Sequence, residues 1–389
     1  MRFPEGFLFG TATSALQVEG GNVNNDWWEW EHRPGSPVAE VVGDACDHYH
    51  RYPEDIALMA ELGLNAYRFT IEWARVEPAP GQISYAALAH YRRMLQTCHD
   101  HGITPMVSLH HFTLPRWVAE AGGWTSPTTA VRFQAYARLI AIELGDLFSH
   151  VFTIVEANMV ADNAYLYGIF PPGHVGDAES HQRAQLVLAR AHQTARAAIK
   201  AERPELLVGS SLSMLAPVIA AGGEDAAHRH LHATLGPYLQ VAAEDDFLGV
   251  QCYSTQHYGP DGPTESPLGV ERTQMWWEFA PEAAADMCRV LATVVPHLPL
   301  MISENGIATY DDTRRVEFVQ RALAAVSAAT QDGVDIRGYL HWSFLDNYEW
   351  NLGFRCTFGL VGYDPRTFER TVKPSARAYS EIVRAATSS

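Results

Sequence analysis

Val151-Phe-Thr-Ile-Val-Glu-Ala-Asn158 and Leu298-Pro-Leu-Met-Ile-Ser-Glu-Asn-Gly306 each carry a short apolar run that ends on a glutamate. Such runs, rich in β-branched residues, read as buried strands, so Glu156 and Glu304 arrive at strand ends. Working outward, eight strands are predicted: Phe7–Thr13, Ala66–Ile71, Pro105–His110, Val151–Ala157, Leu206–Ser211, Phe247–Tyr253, Leu300–Glu304 and Arg337–Phe344. Ala- and Leu-rich segments with helical spacing lie between them: Tyr52–Leu62, Tyr85–His101, Thr129–Leu147, Arg183–Ala201, Pro281–Val295 and Arg314–Thr330. Gly63, Gly102 and Gly333 stand just past three of these, where a helix end favours glycine.

Strand-helix alternation implies a parallel sheet. Eight units closing on themselves predict an α/β fold, a single (β/α)8 TIM barrel forming one catalytic domain over residues 1–389. No Pro/Gly/Ser-rich linker splits the chain. A doubly wound sheet would want a glycine-rich phosphate loop after an early strand, and Phe7-Leu-Phe-Gly-Thr-Ala-Thr13 lacks its second and third glycines. In such barrels the active site lies at the C-terminal face of the sheet. Glu156 and Glu304 fall there, on the fourth and seventh strands. Arg68, His110, His111, Tyr253 and Trp342 are expected on the same face.

Composition narrows the partners. The chain has 389 residues, 47% of them hydrophobic, enough for a large core. Lys+Arg 28 against Asp+Glu 45 gives a net charge of -17, which disfavours nucleic acid and anionic membrane surfaces. Glu5 interrupts the apolar start of the chain, so no signal peptide is read there. No run approaches the ~18 apolar residues of a membrane span. Five scattered cysteines (Cys46, Cys98, Cys252, Cys288 and Cys356) do not make a disulfide framework and fit a reducing cytoplasm.

Two carboxylates at strand ends, far apart in sequence, suit the opening of a glycosidic bond. One holds a proton for the leaving oxygen, and the other attacks or stabilises a cationic sugar carbon. Several blocks in order then make the chain resemble the family 1 glycoside hydrolases, the β-glucosidase and β-galactosidase family. They are Phe7 to Gly20 with Gln17 and Glu19, Ala45 to Ile56, Tyr67 to Trp73, Leu109-His-His111-Phe-Thr-Leu-Pro115, Ile302 to Gly306, Trp342 to Trp350, and Phe358 to Asp364. The resemblance runs nearly end to end. It implies a retaining mechanism with Glu304 as nucleophile and Glu156 as acid/base. It further implies that Arg68 and Tyr253 hold Glu304. Gln17, His111, Glu349 and Trp350 would bind sugar hydroxyls above an apolar floor at Trp342. No metal or organic cofactor is implied, and the partner is a small-molecule glycoside.

Three departures qualify that expectation. The family pattern Thr-x-Asn-Glu-Pro reads Thr153-Ile-Val155-Glu156-Ala157 here. The asparagine that meets the sugar 2-hydroxyl becomes Val155, which can neither donate nor accept. The pattern Asn-Tyr-Tyr on the sixth strand reads Gln251-Cys252-Tyr253. Between Leu215 and Phe247 the chain is shorter than family members usually are. Two readings fit Val155: a sugar that is 2-deoxy or modified at position 2, or a barrel diverted to non-hydrolytic biosynthetic chemistry (lyase, cyclase or transglycosylase) or to binding alone.

Other residues keep two readings each. Trp27, Trp28 and Trp30, like Trp276 and Trp277, suit an aromatic aglycone platform or ordinary loop packing. His228, His230 and His232 alternate as metal ligands can, in what reads as a polar loop, without an acid or cysteine cluster. Cys252 reads as a small packing residue.

Overall fold

The computed structural model describes residues 1–387. Eleven strands occur among them: β1 Leu8–Ala12, β2 Ala66–Thr70, β3 Thr104–Ser108, β4 His150–Val155, β5 Leu207–Ile219, β6 Phe247–Gly259, β7 Gly262–Thr264, β8 Leu300–Asn305, β9 Ile336–Trp342, β10 Val361–Tyr363 and β11 Arg370–Val372. Eight pair in parallel in the order β5-β4-β3-β2-β1-β9-β8-β6, and β5 pairs with β6 to close the ring. This is a (β/α)8 TIM barrel with its helices outside. β7 is an antiparallel appendage on β6, so β8 and β9 are the seventh and eighth barrel strands.

Side-chain alternation along each strand splits the core into two layers. Ala12, Ala66, Met106, Phe152, Phe247, Met301 and Leu340 meet in one buried cluster, drawn from seven of the barrel strands. Phe152 and Phe247 stack edge to face at 4.9 Å, sealing the barrel below the functional end. A larger cluster lies between the sheet and the helices, where Tyr91, Phe133, Leu188 and Phe318 meet residues such as Val107 and Ile302.

Helices follow the predicted spacing with shifted ends. Those at His48–Glu61, Tyr85–Asp100 and Asp312–Gln331 run into Gly63, Gly102 and Gly333, all at positive φ as expected of C-terminal glycines. Two expectations need correction. β5 and β6 are much longer than predicted, because they pair with each other to Ile219 and Tyr258, well beyond the end of β4. His228, His230 and His232 lie not in a loop but on the helix Glu224–Ala242. Their i, i+2 spacing puts His230 on a different face from the other two, against Tyr258 at 5.7 Å. No group of three potential ligands converges on a metal position among the described residues. No helix there is long and apolar enough to cross a membrane.

A buried relay ties the C-terminal hairpin to the barrel top. Arg370 donates to both oxygens of Asp55, at 2.7 and 2.8 Å. Asp55 also meets His48 at 2.7 Å, and His48 meets Tyr67 of β2 at 3.1 Å. Tyr67 and Thr13, just past β1, close the relay at 2.6 Å.

Candidate active site

The C-terminal barrel end gathers the candidate residues from seven strands and the segments that follow them. Glu304 ends its run on β8 and is 3% exposed. Arg68, fully buried on β2, donates through Nη2 to Glu304 Oε1. Tyr253 on β6 donates its hydroxyl to Oε2 at 2.6 Å. Burial pushes the Glu304 carboxyl up, and the Arg68 charge and the Tyr253 hydrogen bond pull it back. Asn305 locks the strand end: it donates to the Cys252 carbonyl at 2.7 Å and accepts from Tyr339 at 2.8 Å. Gly306 must be glycine, since a Cβ there would stand 2.0 Å from the Trp342 carbonyl oxygen.

Glu156 follows β4 directly. Its backbone takes the left-handed conformation, φ 54 and ψ 46, as the chain turns from strand into the helix Ala157–Ala161. Its carboxyl lies well above the usual range. Burial is the largest cause, followed by the charges of Glu304 and Glu349; Arg68 and the Ser213 hydroxyl act weakly the other way. The two glutamates therefore face one electrostatic site, with Glu156 pushed up further than Glu304.

The remaining predicted residues surround this pair. Glu349 is raised to about 8 by burial and the Glu304 charge, so it is protonated at neutral pH. His111 stacks on Trp342 at 5.7 Å and on Trp350 at 6.2 Å. Burial first, then Arg68, keeps its ring neutral. Gln17 is fully buried under the 342–350 segment. Its Nε2 donates to the Tyr348 carbonyl at 2.7 Å and to Asn347 at 3.3 Å, while its Oε1 accepts from Ser14 at 2.7 Å. Both Gln17 amide hydrogens are thus already engaged inside the protein.

Val155 is fully buried in one apolar cluster with Phe152, Tyr253 and Trp342, and its backbone pairs with His111 and Ser211. Gln251, on β6, is fully buried as well. Among the described residues neither its Nε2 nor its Oε1 makes a well-formed hydrogen bond, although its amide lies near enough to Glu304 to lower that carboxyl. Cys252 is a buried packing thiol whose pKa burial raises to about 12, far from an activated thiolate.

Sequence reasoning missed the wall behind the site. Phe112 and Phe170 pack on Trp350 at 5.0 and 5.2 Å. Trp27 stands edge-on to Trp350 at 4.8 Å and is 1% exposed, so it buttresses the site and forms no platform. Trp30 is also buried, and Trp28 stacks on His32 at 4.3 Å. Trp277 meets Tyr253 at 5.2 Å, while Trp276 is 78% exposed. Only the aromatic content of these loops signalled a role, and it could not say which rings turn inward.

Comparison with known proteins agrees with this geometry. The family model described as glycosyl hydrolase family 1 matches residues 1–258 and 254–387. β-Glucosidase A of Acetivibrio thermocellus is 31% identical over 441 aligned residues, covering 98% of each chain. That alignment is longer than this 389-residue chain, as expected if the relative carries extra segments. The β-glycosidase of Pyrococcus horikoshii superposes with a TM-score of 0.91 at 34% identity, covering 99% of this chain and 95% of that one. The Thermotoga maritima β-glucosidase in complex with deoxynojirimycin gives a TM-score of 0.91 at 30% identity, covering 99% of both chains. With the barrel closed, the paired glutamates at its C-terminal end and the match running over nearly the whole chain, this protein is a glycoside hydrolase belonging to glycosyl hydrolase family 1.

Proposed function

We propose that the chain, acting as one catalytic unit, hydrolyses β-glycosides with retention of configuration. The observation that carries this is Glu304 held by Arg68 and Tyr253 while its charge raises Glu156. Glu304 attacks the anomeric carbon as Glu156 protonates the departing glycosidic oxygen. The bond to the aglycone breaks and a glycosyl ester forms on Glu304. Glu156, now ionised, takes a proton from water, whose oxygen attacks the same carbon and frees Glu304. Trp342, His111, Trp350 and protonated Glu349 surround the sugar, the last able to donate a hydrogen bond. Gln17 supports that wall, and any contact it makes with sugar goes through its carbonyl oxygen.

The sugar itself is read from Val155. A 2-hydroxyl pressed against it would lose its hydrogen bonds, at a cost of about 1–3 kcal/mol. The substrate is therefore a β-glycoside whose sugar is 2-deoxy or carries a modified 2-position, as in glycosylated secondary metabolites. All five cysteines are free and buried, which supports a reducing cytoplasmic setting.

The test is hydrolysis of a panel of aryl β-glycosides with the product anomer followed by NMR. The expected result is retained configuration, with activity abolished in Glu304→Gln and in Glu156→Gln. A wild type inert to the whole panel, 2-deoxy sugars included, would instead support the diverted, non-hydrolytic reading that Val155 also allows. A 2-hydroxylated glucoside preferred over its 2-deoxy analogue would overturn the sugar assignment alone.

A further inference from the structure

A cavity of about 540 Å3 lies beside the catalytic end, behind the aromatic wall, and none of the catalytic candidates lines it. Its volume falls within the ~300–1,000 Å3 of ordinary small-molecule sites. Trp30, Phe112, Trp124, Tyr165 and Phe170 line it, and Asp26 supplies a carboxyl. Asp26 is only 9% exposed. Its Oδ1 accepts from the Leu114 amide at 2.9 Å, and the backbone N–H groups of Asp26 and Trp27 also act on the carboxyl. No cation pairs with it. The Trp30 and Trp124 indole N–H groups are unpartnered too.

We propose that this cavity is a binding site for a hydrophobic ammonium compound, its charged head on Asp26 and its flat body among the surrounding rings. A buried carboxyl without a counter-ion leaves a strong preference for an incoming cation. Aromatic faces reinforce that preference, since ring quadrupoles attract ammonium groups. The cavity lip already holds one such pair, the Arg33 guanidinium 3.4 Å above the Trp30 ring centre. Among the described residues no ion pair joins Asp26 to Arg33, the one arginine lining the cavity. Glu29 is paired with Arg116 at 2.6 Å, His174 with Asp177 at 3.0 Å, Glu120 adds negative charge at the rim, and buried Glu72 adds more from behind. Burial and Glu72 raise Asp26 to about 8, so an ammonium must displace its proton, and binding strengthens as pH rises towards that value.

Calorimetric titration with tryptamine and with tryptophol, its neutral alcohol counterpart, tests this without relying on turnover. Wild type should bind tryptamine at least about tenfold tighter, with proton release below pH 8. Asp26→Asn should erase the preference. Should that variant fail to fold, Ala119→Trp fills the cavity from its partly exposed rim, keeps Asp26 and should abolish binding of both compounds. Equal affinity for the two compounds overturns the proposal. Undiminished tryptamine binding in Ala119→Trp does so as well.

Discussion

Tyr253 Oη stands 2.6 Å from Glu304 Oε2, while Arg68 engages the other oxygen of the same carboxylate. The donors come from β2 and β6, four places apart in the ring of eight strands, so the carboxylate is held from two sides and fixed in orientation before a substrate arrives. Tyr253→Phe removes one hydrogen bond to a charged group, worth about 1.5–3 kcal/mol. The expected result is kcat/KM lowered about 10- to 100-fold, with the fold unchanged by circular dichroism. Full activity in Tyr253→Phe would remove the hydroxyl from the mechanism.

The Glu156 proton depends on the Glu304 charge. In Glu304→Gln that charge is gone, so the raised Glu156 pKa should fall, as should the value of about 8 at Glu349. In the wild type the sign is the reverse. Activity should persist well above the ordinary carboxyl range and decline as pH rises through the Glu156 value. Carboxyl titration by infrared difference spectroscopy reads the first effect, and a kcat/KM profile against pH the second.

Restoring an amide at position 155 should change the sugar preference. Val155→Asn is expected to raise activity on a β-glucoside relative to its 2-deoxy analogue by about tenfold, the equivalent of one hydrogen bond of ~1.4 kcal/mol. The ratio of the two kcat/KM values measures it. An unchanged ratio would mean that residue 155 does not face the sugar's position 2.

Gln251 is a buried amide beside the nucleophile candidate, and among the described residues it makes no well-formed hydrogen bond. An unpaired buried polar group costs about 1–3 kcal/mol. Gln251→Met should therefore raise the melting temperature while lowering turnover, and stability and initial rates are measured on the same preparation. A stabilised variant with full activity would leave the amide with no role in the site.

Asp55 holds Arg370 and His48 in a buried relay, and these partners bring its pKa below the usual carboxylate value despite burial. The stability it contributes is present above the unfolded carboxyl pKa and is lost as pH falls through the lower folded value. Asp55→Ala leaves Arg370 without its carboxylate partner and is expected to cost about 3–5 kcal/mol. Chemical denaturation at pH 7 measures the loss, and the gap from wild type should narrow in acid.

How much was legible in the sequence depended on the range of the interaction. Glu156 and Glu304 were readable because a strand end is a local signal, and all eight barrel strands were placed within a few residues. The ends of β5 and β6 were not, because only pairing between them extends both past β4. The helix carrying His228, His230 and His232 was hidden by Gly236 and Pro237 inside it, which read locally as breakers. Trp27, Trp28 and Trp30 gave no hint of orientation, since three aromatic residues in four positions cannot all face one way.

By itself the sequence determined the barrel, the paired carboxylates and the apolar side chain at position 155, because periodicity, strand ends and residue chemistry are carried by neighbours in the chain. Only the tertiary structure decided that Arg68 and Tyr253 grip opposite oxygens of Glu304, that Gln17 spends its amide hydrogens inside the protein, and that Gln251 is buried beside Glu304 without a well-formed hydrogen bond among the described residues. It also placed the buried Asp26 carboxyl, without an ion-pair partner among the described residues, behind the aromatic wall. These are facts of burial and hydrogen-bond geometry between residues distant in sequence, and they exist only once the ring of strands has closed.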